Sequence, residues 1–391
     1  ELMQQALASQ GLEPWLSLSR QNELYAAYRA FEHALIPVDT FARTSGAVTC
    51  AWRIAWIRKL LAERIRSQRI ELVISLMPHV WLPFVAPVFR KVHARYAAVV
   101  HDASPHPGDA TGRFMPLWDL DMRNASSIIT LSGVVKQQLA TKRHARGLPV
   151  TSLFHPFVGH GPISPGTNPS AASAGVEEPW RLLFLGRLLR YKGLPLFVQV
   201  VEMLRRRGWP VEIEVMGQGD LAGLEARLAA LGAKVVNRWL TDDEMAAALA
   251  RCHVLLLTHT SASQSGLVAA AHGARVPVVV TPVGGLPEQI MHGRLGVEAG
   301  GVDAQSIADA VERLMTEPGL YACVQRGIAA AEDGKSMARF VRDCVNAAGF
   351  SAHGPMMHGL ALESAGHEHS PVVNPSADLL RTEPGRHLSS S

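Results

Sequence analysis

A chain of 391 residues is too long for one ordinary hydrophobic core and suits two domains of roughly 150 to 200 residues each. Hydrophobic residues make up 48% and charged residues 18% of it, and the mean hydropathy is +0.09, which excludes global disorder. Pro, His, Arg or Gly interrupts every apolar stretch before the roughly 18 to 20 residues of a membrane-spanning helix. Cys50, Cys252, Cys323 and Cys344 are scattered with no CxxC pair, which argues against a disulfide framework and a zinc cluster and points to a reducing cytoplasm. Residues 1–30 lack the charged and apolar regions and the cleavage site of a signal peptide.

Charge is uneven. Residues 1–150 hold 18 Lys and Arg against 11 Asp and Glu, whereas the whole chain is only +4, so the first part is the basic one and suits an acidic partner such as a phosphate or lipid headgroup.

Short β-branched runs alternate with helix-length amphipathic segments, the pattern of strands and crossover helices on parallel sheets. Strands are expected near Trp15–Ser19, His33–Val38, Leu72–Leu76, Ala97–Val100, Ser127–Leu131 and Val150–Phe154, with helices near Ala51–Ser67, Leu82–His93 and Gly133–Arg143. This N-terminal domain, residues 1–157, reads as doubly wound. The segment 51–69 sets Trp52, Trp56, Leu60 and Leu61 among Arg53, Arg58, Lys59, Arg64, Arg66 and Arg69. Such a helix either packs on the sheet with a solvated basic face or lies on an anionic membrane surface. No nucleic-acid-binding motif accompanies the charge, so nucleic acid is not expected as a partner.

Residues 158–179 cluster Gly, Pro, Ser and Ala with no periodic apolar face and read as a linker. A second doubly wound domain is expected over residues 180–349, with strands at RLLFLG, Val211–Val215, Val235–Asn237, Val254–Thr258 and Val278–Thr281. Helices are expected near Leu194–Arg206, Leu221–Leu231, Asp242–Ala250 and Gly266–Gly273. Residues 350–391 read as a disordered tail whose five histidines, irregularly spaced, are read as solvated rather than metal-binding.

Three strand ends of the second domain carry candidate chemistry. LFLGRLLRYKG places Gly186 and Arg187 after a strand and Lys192 before a helix, a planar fork and a point charge suited to a diphosphate or, equally, a surface turn with two solvated cations. VMGQGD brings Gly217 and Gly219 to a second strand-to-helix turn, a weak signal alone. Then Gln264, Ser265 and Gly266 open a helix where free N–H groups favour an anion, and a buried strand leads into Gly284–Gly285–Leu286–Pro287–Glu288.

In this order and spacing, GRLLRYKG, GQGD, the SQSG helix start and PVVVTPVGGLPE resemble the donor-binding lobe of retaining glycosyltransferases of the GT-B fold, the large group that includes bacterial family 4 (glycosyl transferases group 1). The resemblance covers about residues 70–345. VVHDASPHPGD (99–109) and IITLS (128–132) resemble the first lobe of the subset acting in bacterial surface-polysaccharide assembly.

The resemblance implies an α/β chain with two Rossmann-like domains facing a central cleft. A nucleotide-diphosphate sugar would be held by the second domain, and a glycan or lipid-linked acceptor would lie on the first. Arg187 and Lys192 would neutralise the leaving diphosphate, with His101 across the cleft near the sugar; these three form the expected catalytic set. Gly186, Gly217, Gly219, Gln264, Ser265, Gly266 and Glu288 would line the donor. Asp102 is expected to orient His101 or cap a turn, and His106 is a further candidate. Neither a cofactor nor a metal is expected, and the enzyme would be cytoplasmic, at most peripheral on the inner face of the membrane.

The chain departs from this pattern in two places. Many members carry two glutamates eight apart around the helix start; Ser263 and Ala270 or Ala271 stand there instead, leaving Gln264 and Glu288 as the nearest polar groups. The first strand and glycine-rich loop of the family also precede the chain's beginning, so a truncated sequence is expected. Both departures raise an alternative, a non-catalytic relative that binds a nucleotide sugar or glycan as a partner subunit.

Overall fold

Apolar runs buried on both faces set the architecture. Leu182–Leu185, Val254–Leu257 and Val278–Val280 are continuous aliphatic stretches with every residue enclosed, as strands inside a parallel sheet covered on both sides must be. A computed structural model describes residues 11–159 and 179–350, apart from 13, 23, 24, 44 and 109. Most of the proposed linker and, Phe350 excepted, the proposed tail with its histidines lie outside the described residues.

The strands are β1 (Leu16–Ser19), β2 (Leu35–Val38), β3 (Leu72–Ser75), β4 (Arg95–Val100), β5 (Ser127–Thr130), β6 (Val150–Ser152), β7 (Trp180–Leu185), β8 (Val211–Met216), β9 (Lys234–Val236), β10 (Val254–Leu257), β11 (Val278–Val280) and β12 (Val297–Glu298). They form three parallel sheets: β1-β2, β3-β4-β5-β6 and β12-β11-β10-β7-β8-β9. The N-terminal lobe therefore carries its strands in two sheets rather than one, and both feed a shared core in which Ile36 and Val38 of β2 join Ile57, Leu61, Trp81, Phe89 and Tyr96.

Helices of eight residues or more with α geometry are α1 (Arg53–Ser67), α2 (Gly133–Ala140), α3 (Leu194–Arg206), α4 (Asp242–Arg251), α5 (Gly266–Gly273), α6 (Ala304–Thr316), α7 (Leu320–Ala331) and α8 (Met337–Ala347). In α3, Leu194, Phe197, Val198, Val201 and Leu204 recur at helical spacing and are buried against the C-terminal sheet. Thr241 and Glu244 close a reciprocal capping box at the start of α4. Helix α8 crosses to the N-terminal lobe, where Phe340, Cys344 and Ala348 pack with Ala97, Val99, Ile129 and Leu131, and Arg95 Nη1 donates to the Gly349 carbonyl at 2.8 Å.

Three elements differ from their sequence reading. The expected helix 82–93 is two short ones, Leu82–Val85 and Pro87–Lys91, because Pro87 supplies no N–H to continue the first. The helix expected from Leu221 begins only at Glu225, after left-handed backbone at Ala222 and Gly223 (φ 56° and 71°). β2 starts at Leu35 because residues 25–34 wind as a 3-10 helix.

Candidate functional site

The C-terminal ends of β7, β8 and β10 come together. After β7 the chain passes through Gly186 and Arg187 into a 3-10 turn, Arg190–Lys192, that ends on Gly193 at φ 75°. A Cβ on Gly193 would fall 1.9 Å from the Thr258 carbonyl oxygen, so only glycine lets this turn lie against the end of β10. The Thr258 hydroxyl donates to the Gly193 carbonyl at 2.9 Å and fixes the contact.

That junction sets Lys192 beside Tyr191 and His259. Burial, then the neighbouring Arg187 charge, push the Lys192 ammonium down to about 8, against the opposing pull of Asp102. His259 is 3% exposed, both its ring nitrogens lack a partner among the described residues, and burial together with Lys192 and His106 holds its pKa well below the usual range. Two cations at one strand end, beside a buried neutral imidazole with its donor and acceptor positions open, form a site suited to a polar anion.

Gly217 and Gly219 serve this turn in a way the sequence did not suggest. A Cβ on Gly217 would lie 1.9 Å from the Gly186 carbonyl oxygen, and one on Gly219 would lie 2.5 Å from that of Leu188. The room they leave is thus filled by the Gly186–Leu188 backbone, which is held by Gly186 N–H to the Met216 carbonyl (2.9 Å) and Leu188 N–H to the Gln218 carbonyl (2.8 Å).

The start of α5 is divided between two tasks. Gln289 clamps Ser265, accepting its N–H at 2.7 Å and donating to its carbonyl at 3.1 Å, so the Ser265 amide is already engaged. The amides of Gly266 and Leu267 follow at the helix start, where no intrahelical acceptor exists. The buried Ser265 Oγ and Gln264 Oε1 have no partner among the described residues. His155, on the segment leaving the N-terminal lobe, brings Nε2 to within 3.7 Å of the position a Gly266 side chain would take.

From the N-terminal lobe, the end of β4 delivers His101 and Asp102. His101 Nε2 lies 2.7 Å from the Leu76 carbonyl, while Asp102 turns to His106, with Oδ1 3.0 Å from Nε2. Glu288 is likewise occupied, accepting the Gly133 N–H at the start of α2 at 2.7 Å. The lobes are further joined by the Ser132 hydroxyl donating to the Ser263 carbonyl (2.9 Å) and by the Phe157 and Val158 N–H groups on the Lys335 and Ala269 carbonyls. Beside these contacts a cavity of about 400 Å³ opens among Ser152, His155, His272, Gln289, Lys335 and Arg339.

Arg187, Lys192, Gly186, Gly217 and Gly219 thus share one strand-end cluster, with Gln264, Ser265 and Gly266 on the adjoining helix start; Glu288 belongs to the interlobe contact on α2. Sequence reading passed over Tyr191, His259 and Ser261. His259 carried a usable signal, a histidine directly after the buried run VLLLT at a strand end. Asp119 and Asp121, spaced as D-x-D, bond Lys142 Nζ (2.8 Å) and the Tyr96 hydroxyl (2.5 Å).

Two parallel-sheet lobes meeting along strand ends define the GT-B architecture, and solved structures bear this out. A glycosyltransferase from Rickettsia africae superposes with a TM-score of 0.66 at 13% identity, over 88% of this chain and 92% of that one. The Anabaena HepE protein in complex with UDP gives 0.64 at 14% identity over 88% and 94%. Residues 179–317 match the family model described as Glycosyl transferases group 1. The chain is 34% identical over 147 residues to a D-inositol 3-phosphate glycosyltransferase of Pseudarthrobacter chlorophenolicus, 36% of this chain and 35% of that protein. The chain spans about a third of the length of the first curated relatives it matches.

Proposed function

We propose that the protein is a retaining glycosyltransferase that moves a sugar from a nucleotide-diphosphate donor to a glycan or lipid-linked acceptor in cell-surface polysaccharide assembly. One observation carries the reading: Arg187 and Lys192 stand with unpartnered buried groups, the His259 ring, Gln264 Oε1 and Ser265 Oγ, around strand and helix ends within the segment that matches the glycosyl transferase model. A diphosphate answers the charge and accepts from the His259 ring and the Ser265 hydroxyl, while Gln264 Oε1 needs a donor such as a hydroxyl of the attached sugar or ribose.

As the bond between sugar and diphosphate breaks, negative charge builds on the leaving oxygens. A guanidinium and an ammonium fixed beforehand at that point stabilise the transition state more than the ground state. The leaving phosphate then takes the acceptor's proton on the same face, which needs no pair of protein carboxylates.

The acceptor is placed on the basic N-terminal lobe. Trp52 and Trp56 are 70% and 46% exposed on a segment that also presents Lys59, Arg64 and Arg66 to solvent, the composition of a surface that meets anionic lipid headgroups. Cosedimentation with vesicles containing anionic lipid tests this, and Trp52→Ser with Trp56→Ser is expected to abolish it.

Calorimetric titration with UDP, GDP, ADP and dTDP tests the donor reading. Saturable binding of one, lost in Lys192→Ala or Arg187→Ala, is expected. A folded chain that binds none of the four, or variants that bind as the parent does, overturns it; binding without sugar transfer in a turnover assay returns the non-catalytic relative.

A further inference from the structure

His106 is held from three directions. Its Nε2 lies 3.0 Å from Asp102 Oδ1 and 3.3 Å from Ser263 Oγ, its Nδ1 lies 3.0 Å from Ser261 Oγ, and its ring stacks on Tyr191 with centroids 4.7 Å apart. Its side chain is 11% exposed, whereas that of Asp102 is 38% exposed. The imidazole is thus a fixed bracket between the lobes, and the carboxylate it holds remains open.

Asp102 stays ionised at neutral pH: although burial opposes it, hydrogen bonds from His106 and Ser263 and the nearby histidines leave its carboxyl below the usual range. Its charge reaches Lys192, whose protonation it favours. The cleft therefore has two cations on its C-terminal wall and a fixed anion facing them from the N-terminal lobe. A diphosphate held by Arg187 and Lys192 would bring its sugar within reach of the wall that carries Asp102, whose charge acts on Lys192.

We propose, on the basis of the nucleotide-sugar reading above, that Asp102 determines which sugar the donor carries: it accepts hydrogen bonds from the hydroxyls of a neutral hexose and repels a hexuronate. A carboxylate has only acceptor sites, which hydroxyls fill and a second carboxylate cannot. Repulsion between like charges in a partly desolvated pocket is a direct means of excluding the anionic sugar. His106 acts through Asp102 as a positioning residue.

The test is a ratio of affinities, which needs no acceptor. Calorimetry measures the full chain against UDP, UDP-glucose and UDP-glucuronate or, where GDP is the nucleotide bound, against GDP, GDP-mannose and GDP-mannuronate. The parent is expected to bind the neutral sugar nucleotide at least about tenfold more tightly than the uronate. Asp102→Asn keeps the shape and an oxygen for His106; measured at pH 6, where Lys192 stays protonated without the Asp102 charge, it should narrow that ratio to about threefold or less and leave the affinity for the bare diphosphate within about twofold. Asp102→Ser repeats the measurement with a smaller side chain.

Equal affinity of the parent for both sugars overturns the proposal, as does an unchanged ratio in both variants. Loss of bare-diphosphate affinity in the variants also overturns it, because Asp102 would then act by shaping the phosphate site. A parent chain that binds no nucleoside diphosphate rejects the donor reading itself, before any variant is compared.

Discussion

Glu288, at the first turn after β11, holds the amide of Gly133 at 2.7 Å from across the interlobe boundary, 155 residues earlier in the chain. Its carboxylate thereby occupies the positive end of α2. Glu288→Ala is expected to free that amide. The bond is charge-assisted but solvent-exposed, so its worth lies at the low end, about 1 kcal/mol. Amide exchange over residues 133–136 should quicken by about fivefold, with Glu288→Gln retaining part of the protection. Unchanged exchange in the alanine variant would show that Ser132 and its bond to Ser263 hold the boundary alone.

Lys192 connects stability with the proposed donor binding. Its pKa falls from 10.5 to about 8 on folding, so between those values the unfolded chain holds a proton that the folded chain releases. Stability therefore rises with pH from about 8 to 10.5, and at neutral pH the folded protein bears the cost of the buried ammonium. Lys192→Met should raise Tm at pH 7 by about 2–4 °C and remove the rise above pH 8, while abolishing diphosphate affinity. In the parent, diphosphate binding should be constant below pH 8 and weaken above it as the free enzyme's ammonium is lost. Thermal scans and titrations at pH 7, 8, 9 and 10 check both effects.

Much of this fold was legible because local and global signals agree. Buried parallel strands must be apolar runs, so β7, β10 and β11 stood out, and α3 and α5 were delimited to the residue because Gly193 and Gly273 mark their ends. Other features were hidden because they are relationships between distant residues. Nothing local to Glu288 announces Gly133, and nothing in Phe340 and Cys344 says that α8 packs on the opposite lobe. At the candidate site, charge and glycine spacing pointed to Arg187, Lys192 and Gly217, but the pairing of Asp102 with His106 rather than His101 depends on how the loop after β4 turns.

Gly193 and Gly223 separate backbone conformation from crowding. Both adopt left-handed φ, 75° and 71°, yet a Cβ on Gly223 would meet nothing within 4 Å, whereas one on Gly193 would overlap the Thr258 carbonyl. Gly223→Ala is expected to cost about 1 kcal/mol, the conformational penalty alone. Gly193→Ala must also displace the Lys192 turn from β10 and should cost at least about 3 kcal/mol. Urea unfolding of the two variants provides the comparison, and similar midpoints would mean that the turn yields without loss.

Three buried groups contribute to the acid response of stability with opposing signs. Burial lowers both His253 and His272 to about 4: the first accepts the Arg181 N–H on Nδ1 at 2.9 Å, and the second places Nε2 2.9 Å from the Leu295 carbonyl. Between pH 6.5 and about 4 the unfolded chain takes up a proton at each imidazole that the folded chain refuses, so stability is lost as pH falls through that window. Asp121 acts in the opposite direction. Burial raises its carboxyl from 3.8 to about 6, so the folded chain keeps a proton there that the unfolded chain gives up, and this contribution is lost as pH rises toward 6. These three groups alone, two protons against one, contribute a net slope of about 1.4 kcal/mol per pH unit over the shared range of pH 4 to 6, and His259, also held well below its usual range by burial, adds to it in the same direction. His272→Gln, which keeps a donor for the Leu295 carbonyl, should lower the parent's slope by about 1.4 kcal/mol per pH unit over that range. Asp121→Asn, which keeps an acceptor for the Tyr96 hydroxyl, should steepen it by about the same amount and raise stability at pH 7. Denaturant midpoints of the parent and both variants at pH 4.5, 5.5 and 6.5 decide the matter, and parallel curves for all three would place the acid response elsewhere in the chain.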